Sequence, residues 1–234
     1  MNYNSFVKKL SLGEKDFEEI KDAVSNAEKR TSGEIALAVI PESSSYAFWE
    51  LLTAVVTALL LAIALFPIAD GIYSWLCGIF WGERPWYLAA FFMTVCALAV
   101  ILLYLAYNIP AIDSIVVPQA ARHHAVYARA MRYFTESGVY DTSNHSGVLI
   151  FVSYFEREVR IIADRGISEK ISQDLWNLIA DEISESFSKK NVKEAFVNAV
   201  NRCADLLAEY FPLEGEKKNE LVDGLVLLRN DRWA

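Results

Sequence analysis

Cysteine is scarce in this 234-residue sequence. There are three, Cys77, Cys96 and Cys203, and no two stand in a C-x-x-C spacing. An odd number without paired spacing gives no framework for a disulfide-stapled secreted domain. Basic charge is also short. Lys and Arg number 22 against 30 Asp and Glu, and the formal charge is −8. No basic stripe interleaved with aromatics is present, so a general nucleic-acid binder is excluded. The stretch "MNYNSFVKKLSLGEKDFEEI" lacks an apolar core of the kind a signal peptide needs, and no signal peptide is expected there. Catalytic signatures are missing too. There is no G-x-x-x-x-G-K-[ST], no H-E-x-x-H and no G-x-S-x-G. No cysteine is followed by an anion-binding loop with its arginine, and no D-x-D pair offers an aspartyl nucleophile. A phosphatase built on this chain would have to use metal-activated water.

What the sequence does have is a concentrated apolar insert. Of all the charged residues, only Asp70, Glu83 and Arg84 fall between Leu51 and Tyr107. The run 51–69, "LLTAVVTALLLAIALFPIA", is uncharged, and so is the stretch from Pro85 to Ile112. A membrane-spanning helix needs about 20 apolar residues. The two runs are therefore read as spans at about 51–69 and 86–107, within an insert at 49–112. Trp49, Trp75, Trp81, Trp86 and Tyr87 flank them, as interface aromatics do. The connector from Asp70 to Arg84 belongs to the headgroup region of the far side. Two spans return the chain to the side it left, which makes a multi-pass protein of the cell membrane. The positive-inside count is nearly a tie, Arg122 against Arg84. The six basic and eight acidic groups of residues 1–48 favour a cytoplasmic soluble part.

Outside the insert the pattern alternates between helix and strand. Ser11 to Glu14 reads S-x-x-E, a capping box, and Phe17, Ile20, Val24 and Ala27 follow on one face, so a helix is expected over 14–30. "EIALAVIP" is a strand, apolar on both faces and hence central. A second helix carries Val117, Ala121, Ala125, Ala128 and Met131 and ends at Gly138. "GVLIFVSY" and "REVRIIAD" are two strands joined by "YFERE", a link short enough for an antiparallel hairpin. Ile167, Ile171, Leu175 and Ile179 mark a third helix. Val192, Phe196, Ala199, Cys203, Leu206 and Tyr210 mark a fourth, which Pro212 ends. "TSGEIALAVI" and "HSGVLIFVSY" look alike, each following an amphipathic helix. Two such units side by side make an α/β fold: a small mixed sheet covered by amphipathic helices, interrupted by a two-helix transmembrane hairpin. Residues 1–48 and 113–234 then form one discontinuous domain.

The series "AEKRTSGEIALAVIPES", "GVLIFVSYFEREVRIIADRGISEKISQDLW", "NVKEAFVNAVNRCADLLAEYFP" and "KNELVDGL" resembles the TPM domain. That family includes thylakoid lumen phosphatase-like proteins, photosystem II repair factors and a nematode receptor-modulating protein. The resemblance is to its bacterial membrane-bound branch, with a transmembrane hairpin inside the domain. It implies a helix–sheet–helix sandwich, phosphatase activity as attributed to a plant member, and divalent-cation binding as in several members. Many members face the lumen, the periplasm or the outside, so an extracytoplasmic placement stays open.

Asp164 is the leading candidate for a site. It ends an apolar strand and precedes Arg165-Gly166, and strand ends beside glycine turns are where α/β proteins hold ligands. The alternative is that it caps the turn by accepting from the amides that follow. Glu34 begins the first strand and Asp141 precedes the second, and both are weaker metal candidates. Strand direction sets Glu34 at the opposite sheet end from a parallel neighbour's C-terminus, which leaves it unpaired with Asp164. Asp181 and Glu182 read as an exposed helix face. His123 and His124 are adjacent on a helix and point apart, so they share no metal easily. With Arg122 they suit headgroup contact or plain helix surface. His145 lies in a loop. Oxygen-rich and histidine-poor, the chain suits Ca²⁺ or Mg²⁺ better than Zn²⁺. Two functions fit. One is a membrane-anchored module for protein binding, assembly or repair, with the bilayer and other membrane or envelope proteins as partners and no nucleic acid. The other is a metal-dependent phosphatase of low activity.

Overall fold

Two amphipathic helices precede the first strand in the computed structural model, which describes residues 3–107, 116–142, 144–188, 191–213 and 219–229. Helix α1 is Tyr3–Leu10 and α2 is Glu14–Glu28. The start of α2 differs from the S-x-x-E reading. Ser11 closes α1 instead, at φ 55°, with its N–H on the Lys8 carbonyl. Gly13 is the N-cap of α2, and its own N–H donates to Asp16 Oδ2 at 2.7 Å. Ser11 is spent on ending one helix, so it cannot begin the next.

The chain forms two compact units, Met1–Ser44 with Ala120–Ala234, and Ser45–Gln119. In the first unit, strand β1 is Glu34–Ile40, buried along its whole length. The second unit holds helices α3, Ala47–Leu65, α4, Ala69–Phe80, and α5, Tyr87–Tyr107. A short 3-10 turn, Phe66–Ile68, joins α3 to α4, with Pro67 in a first-turn position where a missing N–H costs little. The connector after the first apolar run is thus mostly helical, an order its composition did not indicate. Helices α3 and α5 run antiparallel. Cys96 Sγ lies 3.9 Å from the Ala58 carbonyl, and the Phe66 and Phe92 rings are 6.3 Å apart. Trp81, left-handed at φ 52°, ends α4. The end of the second uncharged run, 108–112, lies outside the described residues.

The first unit resumes with α6, Gln119–Glu136, which Gly138 ends at φ 79°. A 3-10 turn, Val139–Asp141, leads to β2, Gly147–Ser153, and β3, Glu158–Ala163. Helix α7 is Arg165–Ser168, α8 is Gln173–Ser188, α9 is Val192–Tyr210, and strand β4 is Leu225–Leu227. The single third helix expected from Ile167 to Ile179 is broken before Gln173. Leu175 is consequently exposed, and the large indole of Trp176 takes the buried position.

Among the described residues the sheet has four strands in the order β3-β2-β1-β4. β1 pairs parallel with β2 and with β4, and β2 pairs antiparallel with β3. The fold is therefore α/β with a mixed sheet, and the short "YFERE" link does make a hairpin. Side chains alternate between the faces. Ile35, Leu37, Val39, Val148, Ile150, Val152, Val159 and Ile161 pack under α1, α2, α8 and α9. Ala36, Ala38, Ile40, Leu149 and Phe151 pack under α6. The face that α6 buries is Val126, Ala130 and Phe134, not the alanine-rich stripe expected from the sequence. The alanines remove less area from water, so the bulkier valine and phenylalanine decide the rotation of the helix.

Candidate functional site

Three loops meet where β1 and β2 begin and β3 ends. Thr31 Oγ1 donates to the Phe211 carbonyl at 2.7 Å and accepts from the Gly33 N–H at 3.0 Å. The Glu34 N–H donates to the Ser146 carbonyl at 3.0 Å. Ser146 takes Thr142 Oγ1 on its N–H at 3.0 Å and gives its hydroxyl to the Ser32 carbonyl at 3.1 Å. Backbones approach closely here. A Cβ on Gly147 would lie 2.1 Å from the Val139 carbonyl oxygen, so no larger residue fits.

Asp164 sits in this frame. Its N–H donates to the Gly147 carbonyl at 2.8 Å, and the residue is 8% exposed. It is the N-cap of α7, with Oδ1 accepting from the Arg165 N–H at 2.6 Å. Oδ2 lies 3.3 Å from His145 Nδ1. A carboxylate only accepts, so the proton of a neutral His145 sits on Nδ1 and Nε2 carries the lone pair. The His145 ring is exposed, on a residue held at φ 48°. Histidine is enriched in that left-handed region, yet such residues remain uncommon.

The sequence reading is corrected on Glu34. Because β3 runs antiparallel to β2, its C-terminal end meets the start of β1 and β2. Glu34 pairs in register with Gly147, the residue whose carbonyl holds Asp164. Glu34 and Asp164 thus share one sheet end, and both are buried. Asp141 lies at the same end but is exposed in the 3-10 turn. Among the described residues no group of three or more His, Cys, Asp or Glu side chains is arranged to hold a metal ion. A hard cation of the calcium type takes six to eight oxygens, and these residues do not make such a cage. Among the described residues the adjacent Ser146 offers His145 no free nucleophile, since its hydroxyl is buried and donates to the Ser32 carbonyl. Asp181 is exposed, and Glu182 pairs with Arg202 at 3.2 Å.

A second polar cluster lies at the other sheet end and went unnoticed in the sequence. Ser153 Oγ donates to Glu156 Oε2 at 2.5 Å, the Ser43 N–H donates to Glu156 Oε1 at 3.0 Å, and the Ser43 and Ser153 hydroxyls are 2.6 Å apart. Ser153 has one proton and gives it to Glu156, so Ser43 donates to Ser153. All three residues support one another, and Glu156 is 8% exposed. The sequence signal is a serine that ends one strand and another three residues past the end of its neighbour, which is too common to read.

No curated protein matches this chain. Among solved structures, the NMR structure of the BA42 protein from the psychrophilic bacterium Bizionia argentinensis resembles it with a TM-score of 0.54 at 20% identity. The likeness covers 92% of this chain and 94% of that one, and it is a likeness of fold. The family model of the TPM domain matches residues 112–206, the segment that carries α6, β2, β3 and the Asp164 turn. Over those residues this chain is similar to the TPM domain.

Proposed function

We propose that this protein is a membrane-anchored TPM-domain protein of the bacterial, hairpin-bearing branch, serving as a protein-binding or assembly module beside the bilayer. The observation that carries the anchoring is the outer surface of the second unit. Helices Ala47–Phe80 and Tyr87–Tyr107 are long and apolar enough to cross a membrane. Leu59, Leu60, Ile63, Met93, Leu102 and Leu105 point outward on them, each more than half exposed. Soluble monomers rarely expose contiguous apolar patches beyond a few hundred Å², and a hydrocarbon core is the solvent that suits this surface. Trp75, Trp81 and Trp86 are exposed near the turn between α4 and α5, as a headgroup belt would require.

The module reading rests on what the polar residues are doing. Asp164 caps a helix, Glu156 closes a hydrogen-bond ring, and the serines beside them are spent on backbone or carboxylate partners. The alternative, a metal-dependent phosphatase, would need further oxygen donors beside Asp164 and Glu34.

Two measurements test the proposal. The full chain should float with phosphatidylglycerol-containing vesicles and stay with them through alkaline carbonate. A variant with 51–107 replaced by a short Gly-Ser linker should stay behind, soluble and cooperatively folded. Recovery of the full chain in the aqueous fraction refutes anchoring. Cross-linking in cells should trap the full chain with discrete protein partners, and a chain that traps none is not a binding module.

A further inference from the structure

Among the described residues β3 is an outer strand of the sheet with no strand on its far edge, which is unusually open to pairing. The six pairs from Val148↔Ala163 to Ser153↔Glu158 run without a bulge. The Asp164 N–H reaches Gly147, so in an antiparallel ladder the amides of Ile162, Arg160 and Glu158 also turn toward β2. Those of Val159 and Ile161 turn away from the sheet. Natural edges are normally blunted by Lys, Pro, a bulge or a covering element. "EVRIIA" has no Lys, no Pro and no bulge, and its arginine is turned to Glu158.

A groove of about 730 Å³ follows this edge. One wall is the α6 stripe His123, Tyr127 and Met131, spaced by four. The other is the α8 stripe Gln173, Asn177, Ala180 and Asp181, spaced by four, three and one. These helices belong to opposite layers of the sandwich, and β3 lies between them at the rim. The volume falls in the range of ligand clefts, about 300–1,000 Å³.

Charge narrows the occupant. Glu158 is already committed, with Oε2 2.6 Å from His123 Nδ1 and Oε1 2.5 Å from Arg160. Among the described residues Asp181 is the groove acid that has no ion-pair partner, and it is exposed. Tyr127, Met131 and Ile162 give the α6 side an apolar lining. A two-fold β3–β3 pairing of two copies would drive each copy's α6 and α8 against the other's. A lone strand meets no such obstacle.

We infer that the β3 edge binds an extended peptide segment of a partner protein by strand addition, with a Lys or Arg set against Asp181 and a neighbouring aliphatic side chain over Tyr127, Met131 and Ile162. Successive residues of a strand point to opposite faces, so basic and aliphatic positions are adjacent in the partner sequence. Main-chain bonds to β3 supply the affinity, and the two walls supply the choice of side chain. This rests on the module reading and names the chemistry of its partner.

The test uses the full chain in detergent micelles and a fluorescein-labelled octapeptide of alternating valine and threonine with one central lysine. Saturable anisotropy is expected. N-methylation of alternate amides along one edge of the peptide should abolish it, and methylation along the other edge should not. Asp181→Lys should weaken the lysine peptide at least tenfold and strengthen its glutamate counterpart. Absence of saturable binding overturns the inference. So does binding that survives both methylation patterns, or equal affinities in wild type and Asp181→Lys. Edge-to-edge dimers that the peptide does not displace overturn it in favour of a second copy. If cross-linked partners persist in cells after Asp181→Lys while the peptide fails to bind, the module reading stands and the strand-addition site falls.

Discussion

Gly166 lies against the backbone of His145 so closely that a Cβ on it would sit 2.6 Å from the His145 carbonyl oxygen. The same glycine follows the Asp164 cap by two residues, so one contact fixes both the turn and the His145–Asp164 pair. The obstacle is backbone and cannot rotate away. Gly166→Ala should therefore destabilise the domain by about 1–3 kcal/mol, the usual cost of overpacking. A urea midpoint unchanged within error would show that the loop yields freely.

Asp164→Asn separates capping from cation binding. Asparagine caps about as well as aspartate, so the urea midpoint should stay nearly constant. The charge opposite His145 is removed, and the His145 proton resonances should shift. Calcium titration by calorimetry should show no Asp164-dependent heat in the wild-type chain. Saturable heat that Asp164→Asn removes would favour the metal-dependent alternative.

The Glu156 ring predicts a graded series. Glu156→Ala strands the Ser153 hydroxyl and the Ser43 N–H inside the fold, at about 1–3 kcal/mol. Glu156→Gln keeps an acceptor and should lose less. Urea unfolding of both variants checks the order, and equal losses would mean that shape rather than hydrogen bonding matters there.

Burial pushes the Cys203 thiol from 9.0 up to about 12. The thiolate is disfavoured in the folded state, so the thiol's contribution to stability is complete below about pH 9. It is lost as pH rises from there toward about 12. Cys203→Ala should flatten that alkaline decline in a pH series of urea midpoints. The native thiol should also resist iodoacetamide at neutral pH and react once the chain unfolds, because the thiolate is the nucleophile.

Much of the sandwich was legible because burial on two faces leaves a plain mark. β1 and β2 are near-continuous apolar runs, and both are buried throughout. What escaped depends on partners distant in sequence. β4 is three residues long, and its place is set by pairing with β1 and packing on the core, all distant in sequence. The face of α6 was misjudged because small alanines satisfy a periodicity without determining which side packs. At the candidate site, Asp164 was legible as a strand end before a glycine turn. Its convergence with Glu34 was not, since that follows from the direction of β3. Its contact with His145 was not either, because the two are 19 positions apart and joined by no pattern.

The parallel pairing of β1 with β2 also sets a timetable for biosynthesis. Ser43 and Glu156, which clasp the far end of that pair, are 113 positions apart. At about 5–20 residues per second the ribosome leaves β1 without its main partner for on the order of ten seconds. During that interval six consecutive hydrophobic-core positions, Ile35 to Ile40, sit in a nascent chain whose next segment is the apolar hairpin. Contacts of this span close slowly even after synthesis is complete. Expression yield should therefore respond more steeply to translation speed across residues 45–119 than to the thermodynamic stability of the finished fold.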